Sequence, residues 1–165
     1  MSETAIGVNP KGIFDRHTKG RVLASVAVEV ERGRIQFFSQ VLGVKDPIHF
    51  DVASARAAGH SDIVAPPSFF TVIDATVNEE RARRGEPSAA SLVKVDYRYL
   101  LHGDETYEYF GPIFAGDEVS LTTTVADFYD KKGGEMEFVT LISELRHAER
   151  GVLVRATRNL LHRLP

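Results

Sequence analysis

Residues 66–84, PPSFFTVIDATVNEERARR, form the segment that decides the fold of this protein. Its two leading prolines suit the first turn of a helix, where amide hydrogens lack intrahelical partners in any case. Apolar residues cover most of the circumference of the first half, whereas the second half is charged. A helix that is apolar nearly all round is enclosed by other structure. The segment therefore predicts a long central helix, buried in its N-terminal half and emerging at its charged end.

The sequence that follows this helix predicts a meander of antiparallel strands. Apolar residues alternate over residues 93–99, 119–125, 136–142 and from 152 onward, with a short strand expected at 106–110. Turn-forming residues at 130–134 and 149–151 separate the later strands. One buried helix before such a meander indicates an α+β layer design. We therefore expect a hot-dog fold, in which a long antiparallel β-sheet wraps around a central α-helix.

The first part of the chain predicts three shorter elements. Residues 21–30 are β-branched and partly alternating, which indicates a first strand. Residues 34–42 have the spacing of a short amphipathic helix that ends at Gly43. Asp51 is placed to cap a helix over residues 52–58. The sequence contains no linker and no internal repeat. We therefore expect a polar N-terminal leader over residues 1–12 and one domain over residues 13–165.

The amino-acid composition excludes several classes of function. The net charge of −3 gives no electrostatic signature of binding to nucleic acid or to an anionic membrane. The absence of cysteine excludes disulfides and thiolate chemistry and suits a reducing compartment. No apolar run approaches the roughly 20 residues that a membrane span needs, and no secretory signal is visible. We therefore expect a cytoplasmic protein with no membrane partner, no cofactor and no metal site.

Three segments carry a family resemblance. Residues 43–49, GVKDPIH, are similar to the hydratase motif of MaoC-like enzymes: glycine, aspartate, any residue, asparagine, proline, an aliphatic residue, histidine. Residues 65–69, APPSF, resemble the start of the central helix in the N-terminal, fatty-acid-synthase-type dehydratase subfamily. LHGDE at residues 101–105 and FAGD at 114–117 resemble the later strand signature of that subfamily. In order and spacing, the chain thus resembles the MaoC-like dehydratase and (R)-specific enoyl hydratase family over residues 21–163.

The resemblance implies a reaction and a set of site residues. The family reversibly removes water from (3R)-3-hydroxyacyl thioesters of coenzyme A or acyl carrier protein, which gives trans-2-enoyl thioesters. Its aspartate and histidine act as general acid and base, and amides at the start of the central helix stabilise the charged thioester oxygen. Carried over to this chain, the catalytic candidates are His49 and Asp46, and the oxyanion candidates are Ser68 and Phe69. The substrate-binding candidates are Pro67, Phe38, Phe70, His102 and Gly103.

The chain departs from the family pattern at two places. Val44 stands at the position of the catalytic aspartate, and Asp46 stands at that of the asparagine. A valine cannot transfer a proton, so Asp46 would have to substitute from two residues away. At the helix start, Pro66 and Pro67 replace the histidine-glycine pair of the hydratases and have no amide hydrogen. The amide of Ser68 or Phe69 would then be the donor, and we expect the Ser68 hydroxyl mainly to cap the helix.

Each of these candidate residues can also have a purely structural role. His49 can be a half-buried loop histidine that only binds backbone, and His102 can hold a strand bend beside Gly103. Phe38 and Phe70, at helical spacing among other apolar residues, can be plain core. A charged helix end such as that of residues 79–84 is usually solvated.

Two alternative functions remain open from the sequence. One is a non-catalytic, acyl-chain-binding subunit that needs a competent partner, since a lone hot-dog sheet leaves an exposed edge. The resemblance accordingly implies a homodimer, or a heterodimer with a second hot-dog chain. The other, less favoured, is thioester hydrolysis, for which related enzymes place a carboxylate on the central helix, here Asp74.

Overall fold

A computed structural model describes residues 9–165, and residues 1–8 of the predicted leader lie outside the described residues. Within this range the strands are β1 Val26–Glu29, β2 Leu100–Tyr109, β3 Glu118–Lys131, β4 Met136–His147 and β5 Gly151–Arg163. The α-helices of the same range are α1 Arg32–Val41, α2 Val52–Ala57, α3 Phe70–Arg83 and α4 Ala89–Leu92. These strands form one antiparallel sheet in the order β1-β3-β4-β5-β2. Helix α3 packs across this sheet as the central helix. The hot-dog fold expected from the sequence is confirmed.

The three long strands follow the predicted alternation. In β3, Val119, Leu121, Thr123 and Val125 are all buried, as expected for one face of a strand that covers a core. The predicted turns fall between β3 and β4 and between β4 and β5. Gly151 has φ of 74°, a conformation that favours glycine in the second of these turns.

One strand prediction is wrong. Residues 93–99 form turns after the short helix α4 and not a strand, since Lys94 has φ of 58°, outside the extended region that a strand requires. The strand predicted at 106–110 is present as the end of β2, which is longer than expected at ten residues. The first strand is shorter than expected, since β1 covers four residues and Val22 contributes only an isolated bridge to Thr124.

The central helix buries one face rather than its whole circumference. Its buried residues are Phe70, Ile73, Val77 and Arg81, which recur at three- and four-residue spacing. Thr71 and Ala75 on other faces are exposed. The expectation of an enclosed N-terminal half is therefore wrong for this chain taken alone, because the sheet covers α3 from one side only. The charged end also departs from expectation, since the side chain of Arg81 is buried and donates to the carbonyl of Ala24.

The N-terminal residues that are described lie against the sheet. Glu137 is fully buried, and its Oε1 accepts hydrogen bonds from the amides of Ile13 (2.7 Å) and Phe14 (3.0 Å). The same oxygen lies 2.8 Å from Nδ1 of the buried His162. The Asn9 side chain donates to the carbonyl of Gly134. No helix among residues 9–165 is long and apolar enough to cross a membrane.

Candidate functional site

The candidate site begins at the loop between α1 and α2. The chain leaves α1 through Gly43, whose φ of 71° is the left-handed conformation expected there. Pro47–His49 then form one turn of 3-10 helix, which ends in His49. The amide of Val64 donates to the carbonyl of Ile48 at 3.0 Å, so this turn is joined to the strand-like segment that leads into α3.

His49 is held in one orientation by the backbone. Its Nδ1 lies 2.6 Å from the carbonyl oxygen of Val64. A carbonyl oxygen only accepts hydrogen bonds, so Nδ1 carries the hydrogen. In the neutral ring, Nε2 is then the nitrogen with the free lone pair. Within residues 9–165, Nε2 has no hydrogen-bond or ion-pair partner, which leaves it available to accept a proton.

Asp46 has a structural role at this loop. Its side chain is exposed, and Oδ1 accepts a hydrogen bond of 3.1 Å from the amide of Ile48, which caps the 3-10 turn. Val44 is half-buried, and its amide bonds to the carbonyl of Ser39. Among the described residues, no carboxylate is hydrogen-bonded or ion-paired to His49. In the part of the chain that the structure describes, His49 is thus at the site without an acidic partner.

The start of the central helix presents one amide. A 3-10 turn, Pro67–Phe69, precedes α3, and neither helix has a side-chain cap. The prediction that the Ser68 hydroxyl caps the helix is therefore wrong; the Thr71 hydroxyl donates to the Ser68 carbonyl instead. The Phe69 amide is engaged, since it donates to the carbonyl of Pro66 at 2.9 Å. In the described part of the chain, the amide of Ser68 has no acceptor, so of the two oxyanion candidates Ser68 is the available one.

The histidine and this amide belong to one region of the fold. Val64, which holds His49, precedes Ser68 by four residues, a backbone span of at most about 14 Å. Phe38 and Ile48 pack against the core that contains Phe69, and the rings of Phe38 and Phe69 meet edge to face at 5.8 Å. The loop, α1 and the helix start are therefore packed together.

The substrate-binding candidates lie in three places: the core, the start of the central helix, and a remote part of β2. Phe70 is fully buried and Phe38 half-buried, so both serve the core. Pro67 is exposed beside Ser68. His102 and Gly103 lie near the far end of β2, about 23 Å from Tyr109 at the usual rise of a strand. Within one chain they are not brought to His49.

Gly103 has a steric role at a β-bulge. The register of β2 on β5 shifts between His102 and Asp104. A Cβ atom on Gly103 would lie 2.6 Å from the carbonyl oxygen of Asn159. The strands approach too closely there for any side chain, which explains a glycine in this motif without assigning it a ligand.

The carboxylate on the central helix is paired. Asp74 receives two hydrogen bonds from the guanidinium of Arg158, at 2.8 and 3.2 Å. A cavity of about 280 Å³ lies beside this pair, under the C-terminal half of α3 and away from Ser68. Among residues 9–165 no group of three His, Asp or Glu side chains is arranged to hold a metal ion.

Sequence reasoning missed two contacts at the site. The carbonyl of Val64 orients His49, and the hydroxyl of Tyr109 donates to the carbonyl of Pro67 at the helix start. Neither has a local sequence signal, because a backbone carbonyl is available at any residue and Tyr109 is 42 positions from Pro67.

Known proteins are similar to this chain at the level of sequence and of fold. Residues 17–157 match the family described as FAS1-like, dehydratase domain region. A UPF0336 protein of Clavibacter michiganensis subsp. michiganensis is 38% identical over 120 residues, which are 72% of this chain and 76% of that protein.

Two solved structures illustrate the likeness in fold. A chain of the C-terminally truncated HadBC (3R-hydroxyacyl-ACP dehydratase) complex from Mycobacterium tuberculosis superimposes with a TM-score of 0.69 and 18% identity, over 87% of this chain and 96% of that one. The MaoC-like dehydratase from Rhodospirillum rubrum gives a TM-score of 0.67 and 18% identity, over 93% of this chain and 99% of that one.

Proposed function

This chain belongs to the family of FAS1-like dehydratase domains, and from that membership we propose that it takes part in the reversible dehydration of (3R)-3-hydroxyacyl thioesters. The product is a trans-2-enoyl thioester, and the acyl group is carried by coenzyme A or by acyl carrier protein. His49 transfers the proton. The observation that carries the proposal is the hydrogen bond from His49 Nδ1 to the Val64 carbonyl, which leaves Nε2 free as a base.

The proposed reaction needs one proton acceptor and one proton donor. In dehydration, Nε2 of His49 accepts the proton from C2 of the acyl group, and the electron pair of that bond moves toward the thioester carbonyl. The C3–O bond then breaks as a double bond forms between C2 and C3. The leaving hydroxyl takes a proton and departs as water. Because no acid among the described residues is paired with His49, the imidazolium is the donor that returns this proton.

The thioester oxygen gains negative charge while the C2 proton is removed. The Ser68 amide, at the positive end of the helix dipole, is placed to donate to it. Pro66 and Pro67 leave this as the first amide of the turn. Loss of one such donor typically lowers the rate by about two orders of magnitude or more.

A second function is favoured by the missing carboxylate. Asp46 caps its own turn, and Val44 has no carboxyl group at the position of the family's aspartate. Of the family's acid-base pair, the site of this chain therefore holds only the histidine, His49. We propose that the chain forms a dimer, and that in a heterodimer it binds the acyl chain while a second hot-dog chain supplies the aspartate and histidine. The HadBC neighbour is itself described as a complex.

Thioester hydrolysis is not proposed. It requires an available carboxylate on the central helix, and Asp74 is bound on both oxygens by Arg158. The cytoplasmic location expected from the sequence stays a prediction.

The test is hydration of crotonyl-CoA by the purified full chain, followed by loss of the enoyl absorbance. Turnover that falls at least a hundredfold in His49→Ala, and is unchanged in the matched control His60→Ala, supports catalysis by this chain. His60 is a suitable control because it is also a half-buried loop histidine, packed near Phe114. Activity that appears only with a second hot-dog chain, and survives His49→Ala, supports the acyl-binding subunit. Release of free thiol would refute both.

A further inference from the structure

The edge strand β2 is tied to the start of the central helix by one side chain. Tyr109 is the last residue of β2, and its hydroxyl donates a hydrogen bond to the carbonyl oxygen of Pro67. This carbonyl belongs to the same peptide unit as the amide hydrogen of Ser68. All described peptide bonds are trans.

A trans peptide unit is planar, and its carbonyl and its amide hydrogen point in opposite directions. A hydrogen bond that fixes the Pro67 carbonyl therefore also fixes the direction of the Ser68 amide. It also polarises the peptide unit, which strengthens the amide as a donor. Pro66 and Pro67 offer no amide, and that of Phe69 is engaged, so Ser68 is the donor on which this orientation acts.

We propose that Tyr109 is a positioning residue for the dehydratase reaction: its hydroxyl, on the Pro67 carbonyl, aims the Ser68 amide at the thioester oxygen. This inference rests on the proposed function. Tyr109 does not touch the substrate in this scheme; it acts through the peptide unit between Pro67 and Ser68.

Aromatic packing keeps Tyr109 in place. Its ring stacks on that of Tyr107 at 6.2 Å, and Tyr107 in turn meets the buried ring of Phe70 edge to face at 5.5 Å. This row runs from the core to the edge of the sheet, so removal of the Tyr109 hydroxyl leaves the ring anchored. A tyrosine with its usual pKa of about 10 is already protonated and donating around neutral pH, and desolvation raises the pKa of Tyr109 further.

The test compares Tyr109→Phe with Tyr107→Phe in the full chain, together with its partner chain if turnover requires one. Tyr107 is the matched control because its hydroxyl donates to Glu105 and not to the helix start. Tyr109→Phe should lower kcat about tenfold with KM within a factor of two, since a misdirected donor is lost in the transition state more than in the ground state. Tyr107→Phe should leave both constants within a factor of two.

A second readout does not need turnover. The carbonyl stretch of bound butyryl-CoA, labelled with carbon-13 at the thioester carbonyl, should lie at lower frequency than that of the free ligand. This shift should shrink in Tyr109→Phe and persist in Tyr107→Phe. Equal shifts in wild type and Tyr109→Phe would overturn the positioning role, even if the wild type hydrates crotonyl-CoA. A shift that depends on Tyr109 in a protein without turnover would support the positioning role and refute catalysis by this chain.

Discussion

The ion pair between Asp74 and Arg158 fastens the central helix to β5, and its removal should destabilise the fold. The two side chains are 14% and 17% exposed, and two hydrogen bonds join them. Asp74→Ala would leave a mostly buried guanidinium whose nearest remaining anion is Glu105, 3.9 Å from Nε. The Nε atom already has no hydrogen-bond partner.

The expected cost follows from this burial. Removing one partner of a fully buried pair costs about 3–5 kcal/mol, because the other charge stays uncompensated. Partial exposure and the Glu105 carboxylate reduce this, and we expect Asp74→Ala to lower the free energy of unfolding by about 2–3 kcal/mol. Arg158→Met should cost a similar amount. The double variant should cost about 2 kcal/mol less than the sum, since it leaves no unpaired charge.

Urea unfolding followed by circular dichroism measures these differences. The matched control is Asp127→Ala, which breaks a pair with Lys19 whose side chains are 54% and 52% exposed. It should cost no more than about 0.5 kcal/mol, as is usual for surface pairs. If Asp74→Ala costs as little as Asp127→Ala, or if the double-variant cycle shows no coupling, the reasoning from burial is wrong.

Three further outcomes are expected. Val44→Asp should raise hydration of crotonyl-CoA at least about tenfold, because it puts an aspartate at the motif position from which the family supplies its acid; an unchanged rate in a folded variant would contradict the motif register. Gly103→Ala should lower the free energy of unfolding by about 2 kcal/mol and the melting temperature by several degrees, since its Cβ would lie 2.6 Å from the carbonyl of Asn159. An unchanged melting temperature would show that the bulge relaxes freely. Hydrogen bonds from Arg146 and Arg155 lower the pKa of Glu144, so this carboxylate stabilises the fold at neutral pH and loses that contribution as pH falls through its folded pKa. Glu144→Gln should therefore flatten the acid side of the stability profile measured by urea unfolding, and a profile as steep as that of the wild type would argue against it.

The family and the main elements of the fold were readable from the sequence. Residues 66–84 predicted the central helix, and the alternation in residues 119–125 and 136–142 predicted the long strands that β3 and β4 form. The three motifs predicted the family, which the match over residues 17–157 confirms. These features are local, since periodicity and turn residues are written in consecutive positions.

Errors arose where a local pattern has two structural meanings. Alternation in residues 93–99 suggested a strand, but these residues form turns after α4, with Lys94 outside the extended conformation. The apolar first half of α3 suggested enclosure, but a single sheet covers only the face of Phe70, Ile73 and Val77. Both outcomes depend on which other parts of the chain pack against the segment, and the sequence of the segment itself does not specify them.

The loop of residues 43–49 shows the same division. Its sequence determined that a histidine follows a tight turn and that Val44 replaces the expected aspartate. The local backbone of the loop uses Asp46 to cap the turn, through the amide two residues further on. Only the tertiary structure decided that the Val64 carbonyl selects the free nitrogen of His49, and that Tyr109 holds the peptide before Ser68. The physical reason is that these last two roles belong to hydrogen bonds between residues 15 and 42 positions apart, which form only after the sheet and helix have packed.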